Sequence, residues 1–549
     1  MADIEKQSDI GPPASAELPA TSEMREVRGL AWIMVVGSIL SATFLYGLDQ
    51  TIVANIQPAI VDRFDSLGQL SWISVAFLLG AASSNLFWGQ MYGRFNVKWL
   101  YFACVGLFEL GSTVCGAAQS MAALIVGRAI CGFGGAGMYT GSMALLSLTT
   151  TETERPFYLG LPGLTWGAGT ILGPVLGGAF TDSSAGWRWA FYINLCIGAL
   201  CVPVYIFLVP SKDANPGLSF WRRVGGIDLL GFILMTGTFT AGLMAISFGG
   251  TEYPWNSPQI IALFVVAGVV TILFWVQQFL AIGVKREHVS FPLTFLKEHR
   301  LLLVALVEAS AITATFIPIY FLPLFFQFVH GDSALDTGVR ILPYVVFCVL
   351  SCILSGHAVS KNGQWLPWFL GGGAFVLAGS VALYTVNEGT STAKVYGYSI
   401  MIGFGAGSYL QLPFAVAQMI VEPKYITAAV GFMAFAQLSA PSVSMAIANA
   451  VFINQSTTQI SHVLPSWSRS DIQRVISGLG GSDLASLDSE TSRRVIEIIV
   501  QNISKAYILC FVGAGLAIII SAYLAIDHIS SKEKVKRSNH DDESDASVE

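Results

Sequence analysis

About fourteen stretches of roughly 20 mostly apolar residues recur along the chain, the first near 30–53 and the last near 504–526, and a single helix needs roughly that length to cross a bilayer. Inside hydrocarbon every backbone N–H and C=O must be satisfied within the segment, so runs of this kind can fold only as helices. Composition agrees. Of 549 residues 12% are charged, with a mean hydropathy of +0.63, where a soluble domain carries about 25% charged residues. The expected fold class is an all-α integral membrane protein with about 14 transmembrane helices.

Two spans in the middle decide between topologies. "IDLLGFILMTGTFTAGLMAISF" and "QIIALFVVAGVVTILFWVQQFLAI" are each long and apolar enough to span alone. This favours fourteen spans over a twelve-span layout with 227–282 as a central insertion. The expected organisation is a disordered cytosolic tail over 1–29 and a first bundle over 30–209. A linker over 210–299 carries spans 7 and 8. A second bundle over 300–526 includes a long outer loop at 454–503, and an acidic cytosolic tail covers 527–549.

Basic residues set the orientation. With both tails inside, the inside segments hold eighteen Lys and Arg residues within about 20 residues of a span, and the short outside segments four, as the positive-inside rule requires. Loop 454–503 falls outside and carries, at its two ends, the sequons Asn454-Gln455-Ser456 and Asn502-Ile503-Ser504. Asn454 and Asn502 are therefore candidate glycosylation sites, each close to a helix end.

Several functions are excluded. Part of the net charge of −6 sits in the tail "SNHDDESDASVE", and no broad basic surface suits nucleic acid. The eight cysteines lie in apolar runs without CxxC pairs or a histidine cluster, so neither a disulfide framework nor a metal site is expected. No signal-peptide layout opens the chain. No HExxH or GxSxG constellation points to a membrane hydrolase, and a seven-helix receptor would not need fourteen spans. "GFGGAGMYTG" lacks the Gly-Lys-Ser/Thr ending of a nucleotide loop and lies inside a span. No cofactor is expected.

Charges inside spans are few. Asp49, in "LYGLDQTIV", and Arg128, in "LIVGRAICGFGGAG", sit at similar depth in the outer third of the bilayer. An intramembrane ionisable residue is by default a functional candidate. Asp49 is read as a group that binds and releases a proton, with Arg128 holding it ionised in one conformation. A static ion pair or a snorkelling interfacial charge is the competing reading. Glu109 and Glu308 are the other buried carboxylates. Gln411, Gln418 and Gln437 are amides in apolar helices that suit either a cavity or a helix–helix contact. In "WGAGTILGPVLGGAF", Gly169, Gly173 and Gly177 recur every four residues and form a smooth stripe for close helix approach, while Pro174 frees the carbonyl of Thr170.

Ordered motifs then point to a family. "LDQTIVANIQPAIV" (48–61), "GRAICGFGGAG" (127–137), "GTILGPVLGGAF" (169–180) and "WRWAFYIN" (187–194) resemble, in order, motifs of the fourteen-span drug:proton antiporters of the major facilitator superfamily. "YFLPLFFQFVHGDSALDTGVRILPY", "GFGAGSYLQLPFAVAQ" and "GFMAFAQLSAPSVSMAIANAVF" resemble the same branch further along. "GQMYGRFNVKW" (89–99) stands where the superfamily carries Gly-x-x-x-Asp-Arg-x-Gly-Arg-Lys. It keeps Gly89, Arg94 and Lys98 and replaces the acid with Gly93 and the following glycine with Asn96. This variant is similar to the fungal toxin-efflux subgroup.

The resemblance implies two six-helix bundles with two inserted helices, a midplane substrate site, and alternating access driven by inward proton flow. It implies export of a small organic molecule, such as a fungal secondary metabolite, toxin or drug, from a chain that works as a monomer in the plasma membrane or the vacuolar membrane. Asp49 and Arg128 would couple the proton. Gly169, Gly173, Pro174, Gly177 and Gly178 would form the conformational element. Gly89, Arg94 and Lys98 would gate the cytosolic side, and Gln411 and Gln437 would face the cavity. The alternatives are an importer of the same fold, for sugars or iron chelates, and a membrane enzyme or receptor.

Overall fold

A computed structural model describes residues 27–64, 70–151, 153–213, 217–291, 293–332, 334–422, 425–476 and 487–546. Most of the expected N-terminal tail lies outside them. The described residues are almost all helical, with two isolated β-bridges and no named strand. Fourteen helical segments are long and apolar enough to cross a membrane.

The first bundle contains α1 (Gly29–Phe64), α2 (Leu70–Tyr92), α3 (Val97–Ala117), α4 (Met121–Thr149), α5 (Arg155–Asp182) and α6 (Trp189–Phe207). A short α7 (Phe220–Val224) leads to the inserted pair α8 (Leu229–Phe248) and α9 (Pro258–Leu280). The second bundle contains α10 (His299–His330), α11 (Ala334–Asn362), α12 (Leu366–Tyr384), α13 (Thr392–Tyr409), α14 (Leu412–Ile420), α15 (Ile426–Val463) and, beyond the short α16 (Arg469–Ile476), α17 (Ser489–Ala546). Within each group the helices pack on one another, and the groups meet chiefly along α5–α11 and α2–α15. An even number of crossings returns the chain to the face where α1 begins, here called the tail face.

Polar side chains stop several helices at the bilayer edge by satisfying their free N–H groups. Asn96 accepts from the N–H of Lys98 at 3.1 Å and caps α3, Ser120 caps α4 and Ser257 caps α9. The inserted pair lies at the periphery. Phe264, Val265, Val269, Ile272 and Val276 of α9 are exposed, the face a lipid-bathed helix presents, so α8 and α9 both satisfy the fourteen-span expectation. The pair is tied down by Asp228, a buried carboxylate that accepts from Gly231 N at 2.8 Å, Gln277 Nε2 at 2.9 Å, Gln278 Nε2 at 2.7 Å and Ser290 N at 3.0 Å.

Three boundaries differ from the sequence reading. The segment expected as loop 454–503 is largely helical: α15 extends to Val463, α16 follows, and α17 begins at Ser489. Its residues 477–486 lie outside the described ones. Ser, Asp and Arg on the exposed faces of these helices lower the mean hydropathy of the region below that of a span, although α16 is amphipathic, with Ile472, Val475 and Ile476 buried. Span 12 breaks at Leu410 and Gln411 into α13 and α14. The acidic tail 527–549 continues α17 as far as Ala546.

Candidate functional site

Asp49 on α1 and Arg128 on α4 form an ion pair, with exposures of 0% and 1%. A buried charge persists only when paired and hydrogen-bonded, and the surrounding helices supply the bonds. Arg128 Nη1 donates to Asp49 Oδ2. Nη2 donates to the Asp49 backbone carbonyl at 3.3 Å and Nε to the Ile73 carbonyl of α2 at 3.2 Å. The guanidinium also lies 4.4 Å from the ring centroid of Phe77. On the other side, Asn194 Nδ2 of α6 donates to Asp49 Oδ1 at 3.3 Å and to Ser112 Oγ of α3 at 3.0 Å. Five helices of the first bundle thus converge on one pair.

The glycine–proline ridge of α5 lies against the same turn of α1. A Cβ on Gly169 would stand 2.7 Å from the Leu48 nitrogen, and one on Gly173 2.8 Å from the Ile52 nitrogen. Both distances are below any real contact, so only glycine allows this approach. Pro174 has no N–H to offer the Thr170 carbonyl. Thr51 Oγ1 of α1 supplies the missing donor at 3.1 Å, and α5 continues unbroken to Asp182. Gly177 is buried and Gly178 half-buried on the same helix.

Between the bundles is a small cavity, with about 20 Å3 open to the centres of water-sized groups. Tyr46, Gln50 and Trp166 line it from the first bundle, and Phe316, Gln411 and Gln437 from the second. Trp166 Nε1 donates to Gln50 Oε1 at 3.2 Å, and its ring lies 5.1 Å from that of Phe316. Gln50 is the neighbour of Asp49 in sequence, so one turn of α1 serves both the ion pair and the cavity. Gln411 stands at the break between α13 and α14, and its Nε2 donates to Tyr139 Oη of α4 at 3.1 Å. Gln437 donates from Nε2 to the Leu410 carbonyl at 3.5 Å.

Below the cavity, toward the tail face, the bundles touch. Gly89 of α2 meets Gly431 of α15 backbone to backbone: a Cβ on Gly89 would be 3.0 Å from Gly431 Cα. A Cβ on Gly356 would be 2.7 Å from the Pro156 carbonyl. Gln418 Nε2 donates to Ser147 Oγ at 3.0 Å, Cys352 Sγ to the Gly160 carbonyl at 3.4 Å, and Ser360 Oγ to the Thr153 carbonyl.

Of the three expected gate residues, Gly89 lies on this bundle contact. Lys98 Nζ donates to the Ile206 carbonyl at 2.7 Å and holds the end of α6. The Arg94 side chain packs beneath Gly226, and its carbonyl accepts from Arg223 at 3.2 Å. Lys98 therefore ties two helices of the first bundle together, and Arg94 braces that bundle against the linker. Burial lowers the Arg94 guanidinium from its ordinary value. Both sequon asparagines are engaged in the fold. Asn502 is 1% exposed within α17, and its Nδ2 donates to Ser456 Oγ and Gln459 Oε1, both at 3.1 Å. Asn454 Nδ2 donates to the carbonyls of Gly249 at 3.1 Å and Ala450 at 2.8 Å.

Nothing in the sequence alone singles out Asn194, Gln50, Trp166 or Asp228. The first three stand in or beside motifs already recognised. Asp228 carries a helix-cap signal only.

The family model described as Major Facilitator Superfamily matches residues 39–445. The chain is 48% identical over 500 residues to "MFS-type transporter pgmG" of Aspergillus terreus, covering 91% of this chain and 89% of that one. It is 43% identical to "Efflux pump alnA" of Emericella nidulans, covering 90% of each, and 38% identical to "Efflux pump patC" of Aspergillus clavatus, covering 94% and 95%. Among solved structures, the human organic anion transporter MFSD10 superposes with a TM-score of 0.54 at 13% identity, covering 89% of this chain and 100% of that one. A bacterial homologue of the lysosomal transporter Spinster gives 0.54 at 14% identity, covering 90% and 98%. The chain belongs to the major facilitator superfamily.

Proposed function

We propose that this member of the superfamily is a proton-coupled efflux transporter that exports a small organic molecule by alternating access. The observation that carries the reading is the placement of the buried Asp49–Arg128 pair. It sits on the turn of α1 that packs on the α5 ridge and also offers Gln50 to the cavity. Protonating Asp49 removes half of that pair. It leaves Arg128 an uncompensated buried charge, which only a rearrangement of the helices around it can relieve. Because α5 is in backbone contact with the same turn, a shift of α1 reaches the bundle interface directly.

The cavity wall suits an amphipathic organic substrate: aromatic faces from Tyr46, Trp166 and Phe316, with amides of Gln50, Gln411 and Gln437 to fix orientation. The relatives named efflux pumps are fungal proteins, and a fungal metabolite or toxin is the cargo we infer from that. Bundle contacts on the tail face and a cavity above them fit a state closed toward that face; the excess of basic residues on the tail side supports cytosolic tails, and the plasma membrane is the location we infer. One chain supplies both bundles, so a monomer suffices. The role assigned to each bundle is transport, without a chemical step.

Asp49→Asn tests the reading in sealed vesicles that hold an imposed pH gradient. The variant is expected to reach the membrane and to lose gradient-driven movement of an organic dye that the parent protein moves. Undiminished transport by Asp49→Asn overturns the proton assignment. Movement of the dye toward the tail face under the same gradient would instead make the protein an importer.

A further inference from the structure

Asp49 is not alone as a carboxyl in the bilayer interior. Glu308 on α10 is 0% exposed, and neither of its oxygens accepts a hydrogen bond. It lies about 14 Å along α10 from the tail-face end at His299, whereas Asp49 lies roughly 30 Å along α1 from the same face. The two carboxyls therefore occupy different bundles and different depths, with the cavity between them. Ile312, one turn further along α10, lines that cavity, as does Gln437.

The polar neighbour of Glu308 is the Gln437 amide on α15. The titratable groups that feel its charge are Tyr139 on α4, Cys352 on α11 and Tyr409 on α13, none of them a cation. Gln437 commits Nε2 to the Leu410 carbonyl, and its Oε1 has no donor. A carboxylate here would have no cation and at most the second amide hydrogen of Gln437 to stabilise it, and apolar surroundings penalise such a charge strongly. The neutral acid removes that charge and brings a hydroxyl donor to a region where Gln437 Oε1 lacks one. Its proton is held behind the tail-face seal, since Tyr139 and Cys352 are themselves cross-bundle contacts.

We propose that Glu308 is a second proton-binding site, loaded against Gln437 while the tail face is closed and emptied into tail-face water when it opens. On opening, the Glu308 O–H bond breaks heterolytically, the proton passes to water and the carboxylate becomes hydrated. Once the tail face has closed again, a proton from the outer side, arriving through the cavity, reloads the carboxylate. The role in the cycle rests on coupled transport as proposed above; the proton site itself does not.

Infrared difference spectroscopy of the full-length protein in liposomes, stepped across pH, separates the two. The parent protein and Asp49→Asn are expected to show the carbonyl stretch of a buried protonated carboxyl, and Glu308→Gln to lose it. Gln437→Leu, which removes the acceptor, is expected to shift that band and serves if Glu308→Gln does not reach the membrane. A spectrum unchanged by Glu308→Gln, or a band unmoved by Gln437→Leu, overturns the proposal. In the same liposomes, a pH gradient is expected to drive rhodamine 6G in the parent protein and not in Glu308→Gln. A parent protein that shows the infrared band but no gradient-driven dye movement contradicts coupled transport and leaves the proton site standing.

Discussion

Arg128 donates to three oxygens on two helices and lies over the Phe77 ring. That geometry depends on a planar fork, which lysine lacks. Arg128→Lys keeps the charge and loses the bonds to Ile73 and to the Asp49 backbone, each worth about 1.5–3 kcal/mol when charge-assisted. Arg128→Ala loses the same bonds and in addition strands a buried carboxylate, a further cost of roughly 3–5 kcal/mol. Thermal unfolding in detergent is expected to rank the parent above Arg128→Lys and Arg128→Lys above Arg128→Ala. Asp49→Asn combined with Arg128→Gln should regain much of the loss, and a double variant no better than Arg128→Ala would show that the destabilisation does not come from the stranded charge. At this scale the sequence was informative about charged residues and nearly silent about neutral ones. Asp49 and Arg128 stood out because ionisable groups are rare in apolar spans. Asn194 and Gln50 do not differ in composition from amides that merely bridge helices, and only the folding of α6 and α1 around the pair gives them a role.

At the scale of elements, α5 shows how a helix tolerates residues that ordinarily weaken it. The carbonyl of Thr170 loses its donor to Pro174, and Thr51 on α1 replaces that donor. Thr51→Val is expected to cost about 1 kcal/mol, the typical net worth of one hydrogen bond. Pro174→Ala restores an N–H within α5, so Thr51→Val should then cost almost nothing. A double-mutant cycle on thermal stability reads this coupling directly, and additive effects would mean that the 3.1 Å contact carries no weight. The ridge itself is stricter. Gly173→Leu places a side chain where the Ile52 nitrogen already stands, so α1 and α5 must separate. The protein is expected to insert and to lose efflux, measured as dye retained by cells expressing the variant. The four-residue glycine spacing made the ridge legible in sequence, but not its partner, since spacing describes one helix surface and says nothing of which neighbour covers it. The break between α13 and α14 was hidden for a similar reason: "GFGAGSYLQLPFAVAQ" lies within one continuous apolar span, and hydropathy does not register a change of helix axis.

For the molecule as a whole, the question is what holds the tail face shut and what lets it open. The bundles meet there through glycine backbones at Gly89 and Gly431 and through neutral hydrogen bonds from Gln418, Cys352 and Ser360. Each such bond contributes about 0.5–1.5 kcal/mol net. A seam built from them is strong enough to bias the closed state and weak enough to be reversed by protonating a buried carboxyl, where each tenfold change in proton occupancy corresponds to about 1.4 kcal/mol. If this seam must part in every cycle, a covalent link across it should stop transport without disturbing either bundle. Thr153 precedes α5 and Ser360 ends near the tail-face limit of α11, and the Ser360 hydroxyl already reaches the Thr153 carbonyl. Thr153→Cys with Ser360→Cys brings two thiols into the range a disulfide needs, and seven of the eight native cysteines are buried or half-buried. Oxidation is expected to abolish dye efflux in the double variant, and reduction to restore it, while each single variant transports under both conditions. Efflux that continues after complete cross-linking, verified by mobility on a non-reducing gel, would mean that the tail-face seam stays closed throughout turnover and that substrate leaves by another path.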